Sequence, residues 1–176
     1  MSARKGYEHW SSLPPYDRER ILLKCADQVE AQYDRLLNLL IDESGSSIIK
    51  AKYEVLYTAS VLRTAAGEVR RMYADTLPNE KPHRMSMVVR EPVGVVLAIS
   101  PFNAPLVLLA KMIVFPLGAG NAVIAKPSEE TPLIAVELAK VMKEAGLPDG
   151  VFNVVTGFGA ECGSPLAKHP KINGIA

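Results

Sequence analysis

The sequence predicts an α/β fold in which a parallel sheet is flanked by helices, and two observations support this class. Apolar runs over residues 93–99, 121–125 and 151–155 have the length and composition of strands buried on both faces. Helical segments near 105–117 and 132–145 separate these runs. Because strands that alternate with helices form parallel βαβ units, we expect the three strands to lie in one sheet.

The later elements carry recognisable start and stop signals. Thr131 is the expected N-cap of the second of these helices, with Pro132 at its first position and Gly146 just past its end. A glycine turn over 157–159 leads into a short helix, and a final strand begins at Ile172. Because the sequence stops inside that strand, we expect a truncated portion of a larger domain.

The region before the sheet, residues 1–84, is predicted to be a helical flank. Residues 17–41 place apolar side chains at three- and four-residue steps, with Asp17 as N-cap and Gly45 after the end. A second amphipathic helix covers 47–74. Its expected inward-facing residues include Tyr53, Leu56, Tyr57, Ser60, Leu62, Ala65 and Val69. Its expected solvent-facing charges are Lys52, Glu54, Arg70 and Arg71.

Two segments join the flank to the sheet. Residues 76–84 form a polar connection marked by prolines, and residues 85–90 alternate well enough for a short strand. We therefore divide the chain into a helical flank over 1–84 and an incomplete sheet domain over 85–176, which together form one structural unit.

Size and composition exclude several classes of function. The chain has 176 residues and a formal net charge of +1, which suits one domain and disfavours nucleic-acid or membrane-surface partners. No apolar run reaches the length of a membrane span, and the first ten residues lack the apolar core of a signal peptide. Two cysteines and three scattered histidines form no metal-ligand spacing. We expect a cytoplasmic protein without a bound metal.

Polar groups follow two of the predicted strands. Asn103 lies in a Pro-Phe-Asn-Ala-Pro turn after the first strand, and Lys126, Ser128 and Glu129 follow the second. Ligands of open α/β sheets bind outside these carboxyl ends. From the residues alone, Asn103 could instead satisfy a turn between two prolines, and Lys126 and Glu129 could be solvated or capping residues.

Several ordered segments resemble the aldehyde dehydrogenase superfamily. They are residues 90–96 (Arg-Glu-Pro-Val-Gly-Val-Val), 99–105, 120–129, 131–132, 145–157 and His169-Pro170, with weaker matches at Trp10, 18–20, 43–45 and Glu54. The resemblance covers nearly the whole chain but only part of the family's length of several hundred residues. In the family, the catalytic cysteine, the general-base glutamate and the oligomerisation strand all lie downstream. Residues 85–176 would then be an incomplete Rossmann-like NAD-binding domain.

The resemblance implies roles for individual residues. In the family, a cysteine thiolate attacks the aldehyde, and an asparagine amide stabilises the oxyanion; Asn103 matches this asparagine. Lys126 and Glu129 match residues that hold the adenosine ribose, and Glu129 would repel a 2′-phosphate, which favours NAD while leaving NADP possible. The full set of expected cofactor-binding residues is Ile99, Ser100, Pro101, Phe102, Lys126, Ser128, Glu129, Gly159 and Gly163.

Departures from the common family pattern indicate a branch that acts on aromatic aldehydes, such as salicylaldehyde or benzaldehyde. Met112 stands where many members carry a lysine, and Ala104 where the family often has phenylalanine. Ala104 would open space for a ring; alternatively, it simply packs under the next helix. Cys162 is not expected to be the nucleophile, because no base lies near it in sequence, and Cys25 is expected in the core.

Three functional hypotheses remain open. The first is a fragment of an NAD-dependent aldehyde dehydrogenase, inactive alone because the nucleophile and base are missing, whose parent is homo-oligomeric. The second is a non-catalytic relic that binds a nucleotide weakly or associates with a partner. The third is a related acylating or semialdehyde dehydrogenase. For the isolated chain we expect self-association through an uncovered strand edge.

Overall fold

A four-stranded parallel sheet lies at the centre of the protein, as seen in a computed structural model that describes residues 2–176. The strands are β1 Asp75–Leu77, β2 Ser86–Val88, β3 Val95–Ile99, β4 Ala122–Lys126, β5 Phe152–Val154 and β6 Gly174–Ile175. Strands β3 to β6 form the sheet in the order β5-β4-β3-β6, and each neighbouring pair is parallel. The predicted α/β class with a parallel sheet is confirmed.

Helices surround this sheet. Within the described residues they are α1 Ser2–Ser12, α2 Pro15–Ala31, α3 Tyr33–Ser44, α4 Ile48–Val69, α5 Pro105–Gly118, α6 Pro132–Glu144 and α7 Ser164–Ala167, with a π-helical turn over Gly159–Gly163. Of the four strands of this sheet, β3 comes first in the chain, and it has β4 on one side and β6 on the other. In doubly wound sheets, such a reversal of strand order marks the crevice where ligands bind.

Helix α5 is the most completely apolar helix of the fold, and it packs on α4 and on the sheet. A helix that is apolar all round must be buried, and nine of its fourteen residues are. It does not cap its own first turn. Ala104 has no polar side-chain atom at the N-cap position, and Pro105 has no N–H.

A carboxylate from the flank caps α5 instead. Oε2 of Glu54, on α4, accepts hydrogen bonds from the backbone N–H groups of Leu106 (3.1 Å) and Val107 (3.3 Å). Glu54 is only 1% exposed, so the prediction that it faces solvent is wrong. Burial is tolerable because Oε2 accepts these two hydrogen bonds and Oε1 forms an ion pair with the Lys50 ammonium at 2.9 Å, although Oε1 accepts no hydrogen bond within the described residues.

The C-terminal end of α5 is held in the same way by the first two helices. The indole N–H of Trp10 donates to the carbonyl of Leu117 at 2.7 Å, in a fully buried position. The guanidinium of Arg18 donates to the carbonyls of Gly118 and Leu13, and burial lowers the pKa of this guanidinium. The indole and the guanidinium thus add side-chain donors to carbonyls at the end of α5, where the Leu117 carbonyl also accepts from the Gly120 N–H.

Helix α6 repeats the arrangement with another distant carboxylate. Glu43, near the end of α3, accepts from the backbone N–H groups of Leu133 and Ile134. Thr131 occupies the predicted N-cap position, yet its side chain makes no capping bond, and its buried hydroxyl has no partner within residues 2–176. The expectation that Thr131 caps this helix is therefore wrong.

The helical flank departs from the sequence prediction in two further ways. The segment over 17–41 is two helices rather than one, because the backbone leaves the helical conformation at Gln32 (φ −96°, ψ 20°). The N-cap of α2 is Pro14, and Asp17 lies in the first turn rather than capping it.

The buried face of α4 is displaced from the predicted one. Leu62, Ala65 and Val69 are buried as expected, but the side chains wrongly assigned to the core are exposed: Tyr53, Leu56, Tyr57 and Ser60. The small residues Ala51, Ala59 and Ala66 lie inward instead and allow α4 to approach its neighbours closely. The prediction of the buried face is wrong because it favours large apolar side chains, whereas small side chains face the neighbouring helices.

Two elements were not predicted at all. The segment before Trp10 forms α1, and part of the predicted polar connection forms β1, which pairs antiparallel with β2 as an exposed hairpin. The short strand expected at 85–90 is confirmed as β2.

Cys25 lies in the core as expected, and burial raises the pKa of its thiol to about 12.

Replacing Trp10 by phenylalanine should destabilise the protein because the Leu117 carbonyl loses its buried indole donor, keeping only the Gly120 N–H, and a void forms beside α5. We expect the free energy of unfolding to fall by about 2–3 kcal/mol, measured by urea titration with circular dichroism. The control is Tyr16→Phe, since the Tyr16 ring is 56% exposed and should change stability by less than about 0.5 kcal/mol. Equal stability losses in the two variants would contradict the role of the indole.

Candidate functional site

The carboxyl ends of β3 and β4 bring the two predicted groups of site residues to one edge of the sheet. The strands are in register from Val95 opposite Ala122 to Ile99 opposite Lys126. Beyond the strands, the N–H of Ser100 donates to the carbonyl of Lys126 at 3.2 Å. The segments that follow β3 and β4 are thus neighbours, as the sequence predicts.

The segment after β3 presents a mixture of buried and open positions. Ser100 is buried, Pro101 is half-buried, and Ile99 and Phe102 are exposed. The Phe102 ring is 59% exposed, so it is available to contact a ligand or another part of a larger protein. These four residues were predicted to contact the cofactor through this strand end.

Asn103 follows directly and is exposed in the turn that leads into α5. Within the described part of the chain, its side-chain amide makes no hydrogen bond, so it does not tie the turn together as the alternative interpretation required. A neutral amide that is free on the ligand side of a strand end can donate to a substrate oxygen. Ala104 is half-buried and extended (φ −148°), and its carbonyl accepts from Leu108.

After β4, a buried lysine and an exposed carboxylate form a pair. Lys126 is 4% exposed, and its ammonium lies 3.0 Å from Oε2 of Glu129. The pKa of Glu129 is lowered, first by a hydrogen bond from its own backbone N–H and then by the Lys126 side chain. Glu129 is therefore ionised at neutral pH and can accept hydrogen bonds from hydroxyl groups.

Glycines from the β5 side face this pair. A methyl group added at Gly163 would lie 3.9 Å from the Lys126 stem, an ordinary contact distance, so Gly163 neighbours the lysine. Gly159 has open space around its α-carbon. The two predicted cofactor-wall glycines therefore differ, since Gly163 contacts the pair and Gly159 borders solvent.

Ser128 is engaged locally. Its hydroxyl accepts from the N–H of Glu130 at 3.2 Å, and its carbonyl accepts from the N–H of Thr131. These bonds form the turn between β4 and α6. The hydroxyl keeps its own proton for donation, so a contact with a ligand would add to this turn rather than replace it.

A cleft of ≈400 Å³ borders the same edge. Glu43, Ser44, Phe102, Glu130 and Thr131 line it. Sequence reasoning predicted a functional contact only for Phe102, because Glu43 and Ser44 come from α3, about sixty residues earlier in the chain. Their weak family match was the one signal that could have indicated their presence here.

Cys162 belongs to a different strand end. Its Sγ packs 3.4 Å from where a side chain at Gly157 would begin, within the turn that follows β5. β4 separates β5 from β3, whose carboxyl end carries Asn103.

Within residues 2–176, no cluster of histidine, cysteine or acidic side chains could hold a metal ion, and none of the helices has the length and apolarity needed to cross a bilayer.

Comparisons with known proteins agree with this geometry. Residues 1–176 match the model of the aldehyde dehydrogenase family. NADP/NAD-dependent aldehyde dehydrogenase PuuC of Escherichia coli K12 is 43% identical, over 100% of this chain and 36% of that protein. Phenylacetaldehyde dehydrogenase of Pseudomonas fluorescens is also 43% identical, over 95% of this chain and 34% of that protein.

A solved structure extends the likeness to three dimensions. Salicylaldehyde dehydrogenase from Pseudomonas putida G7, complexed with salicylaldehyde, matches with a TM-score of 0.95 and 33% identity. The match covers 99% of this chain and 37% of that one. The chain thus spans about a third of the length of the proteins it matches. The family match over every residue shows that the chain belongs to the aldehyde dehydrogenase family.

Proposed function

We propose that these residues form the cofactor-binding and oxyanion-stabilising part of an enzyme that oxidises an aldehyde to a carboxylic acid with NAD. One observation carries the proposal: the free amide of Asn103 and the Lys126–Glu129 pair lie at the carboxyl ends of adjacent parallel strands. A group that binds an oxyanion and groups that bind a dinucleotide are thereby brought to one edge of the sheet.

The residues after β4 fit the adenosine end of the cofactor. The Glu129 carboxylate can accept from two vicinal ribose hydroxyls, and the Lys126 ammonium can donate to one. Gly163 lies beside the Lys126 stem, and the absence of a side chain there leaves the pair open on that side. Ile99, Ser100, Pro101 and Phe102, together with Ser128 and Gly159, complete the proposed wall. NAD, when bound, supplies the hydride acceptor of the reaction.

The charge of Glu129 favours NAD over NADP. Its pKa is lowered, so the carboxylate is negative at neutral pH, where the 2′-phosphate of NADP is also negative. Like charges at the ribose disfavour NADP. The Escherichia coli relative is named for both cofactors, so we expect a preference rather than exclusion.

Asn103 has the chemistry of an oxyanion donor. When a thiolate adds to an aldehyde carbon, the carbonyl oxygen becomes negative, and a fixed N–H donor stabilises that charge. A neutral amide does this without forming a Schiff base, as a lysine would. We propose that the attacking cysteine lies outside residues 1–176, because Cys25 is buried with a raised pKa and Cys162 lies beyond β4.

An aromatic aldehyde is the proposed substrate. Ala104 would leave room beside Asn103, and exposed rings lie on α4, which packs on α5: Tyr53 and Tyr57 stack at 5.2 Å, and the ammonium of Lys111 on α5 lies 5.0 Å from the Tyr57 ring centre. Such rings favour a flat apolar substrate. Relatives named for phenylacetaldehyde and salicylaldehyde support the same class.

Titration calorimetry of the 176-residue chain with NAD and NADP tests the cofactor proposal. We expect NAD to bind about tenfold more tightly, and Glu129→Gln to remove most of this difference because the repelling charge is gone. Glu130→Gln is the matched control, since it removes an exposed neighbouring charge that is not paired with Lys126. Equal or tighter NADP binding by the unchanged chain would contradict the argument.

The catalytic proposal is tested by Asn103→Ala in the full-length enzyme. We expect kcat for an aldehyde to fall about 10²–10³-fold, because one oxyanion donor is lost. The isolated chain should produce no NADH, with or without Cys162→Ser. Aldehyde oxidation by the isolated chain that is abolished by Cys162→Ser would instead assign the nucleophile to Cys162.

Ala104→Phe in the full-length enzyme tests the substrate class. A ring at position 104 should occupy the space proposed for the substrate's own ring, so kcat/KM should fall at least about tenfold for benzaldehyde. A short aliphatic aldehyde should lose little. A uniform loss for both substrates would mean that position 104 supports the fold rather than selecting the substrate.

A further inference from the structure

We propose that Glu54, on the helical flank, is a positioning residue for Asn103 and thereby controls the rate of the chemical step. The inference rests on the proposed function, because it needs Asn103 to act on the oxyanion. It adds a residue that does not touch the substrate and to which the sequence assigns no role beyond a weak family match and an expected solvent-facing charge.

The contacts of Glu54 leave it little freedom. Its Oε2 holds the N–H groups of Leu106 and Val107, and its Oε1 faces the Lys50 ammonium at 2.9 Å. Lys50 is itself fixed, because its ammonium donates to the Ser46 hydroxyl at 2.6 Å. The carboxylate therefore joins the start of α5 to the start of α4, through two hydrogen bonds from backbone amides on one side and an ion pair with Lys50 on the other.

No local group can replace this contact. Ala104 has no acceptor in its side chain, Pro105 has no N–H, and the Asn103 amide makes no bond within the described residues. The next amide, that of Leu108, already bonds the Ala104 carbonyl. The two amides that remain without a partner in the first turn are those that Glu54 accepts from.

Asn103 lies only two residues before the helix, so its position follows that of the first turn. Its other anchor is the end of β3, where the Ser100 N–H bonds to β4. If the first turn of α5 frays, the segment between these anchors can shift. A displacement of about 1 Å at a catalytic group can cost about 10²-fold in rate.

Glu43 provides a matched comparison within the same chain. It also accepts from two first-turn amides, those of Leu133 and Ile134, but it does so at α6. Replacing either glutamate removes a helix cap of the same kind. Only the loss of Glu54 frees the start of the helix that follows Asn103. The effect on kcat should therefore depend on the Asn103 amide for the Glu54 substitution and not for the Glu43 substitution.

A double-mutant cycle in the full-length enzyme tests this coupling. Glu54→Ala should lower kcat about 10–100-fold when Asn103 is present, because the Asn103 amide is displaced. In the Asn103→Ala background the loss should be less than about threefold, because no amide is left to displace. The dissociation constant of NAD should change less than about threefold. Glu43→Ala should have the same effect on kcat in both backgrounds.

Glu54→Gln carries the test if Glu54→Ala fails to fold, because glutamine keeps an acceptor oxygen while losing the charge. Its kcat should lie between those of wild type and Glu54→Ala, and its loss should again vanish when Asn103 is absent. If the kcat losses of Glu54→Ala and of Glu54→Gln each multiply with the loss of Asn103→Ala, Glu54 does not act through Asn103. That result overturns this inference and leaves the proposed function standing. A wild-type enzyme that oxidises no aldehyde, or that is unaffected by Asn103→Ala, overturns the proposed function and this inference with it.

Discussion

The fold depends on how a largely apolar helix, α5, is held at both ends by side chains from the N-terminal helices. The helix begins at Pro105 after an alanine and so lacks a cap of its own. Glu54 takes the amides at its start, and Trp10 and Arg18 take carbonyls at its end. The flank is thus more than a cover for the sheet, because it completes hydrogen bonds that the sheet layer cannot make.

This constraint is transmitted directly to the candidate site. Asn103 lies between the end of β3 and the start of α5, and the Lys126–Glu129 pair lies between β4 and α6, whose first turn Glu43 caps. Each segment proposed to face a ligand is therefore fixed by a parallel strand on one side and by a carboxylate-capped helix on the other. Such support can hold catalytic groups still without polar residues inside the sheet.

The parts predicted from the sequence are those with local signals. Apolar runs predicted β3, β4 and β5 to within two residues. Position after a strand, together with the family resemblance, indicates Asn103 and Glu129, whose roles stay predictions. The prediction for Glu54 is wrong because its partners, Leu106 and Val107, lie more than fifty residues away, and periodicity carries no information about distant backbone donors. The wrong face of α4 was chosen because Tyr53 and Tyr57 are large and apolar, whereas close helix packing selected alanines.

Amide hydrogen exchange, followed by NMR on the 176-residue chain, tests most directly whether Glu54 holds the start of α5. In Glu54→Ala, the amides of Leu106 and Val107 should lose most of their protection, while those of Leu133 and Ile134, capped by Glu43, keep theirs. Unchanged protection of Leu106 and Val107 in this variant would show that the first turn of α5 does not depend on the carboxylate, and would contradict the account.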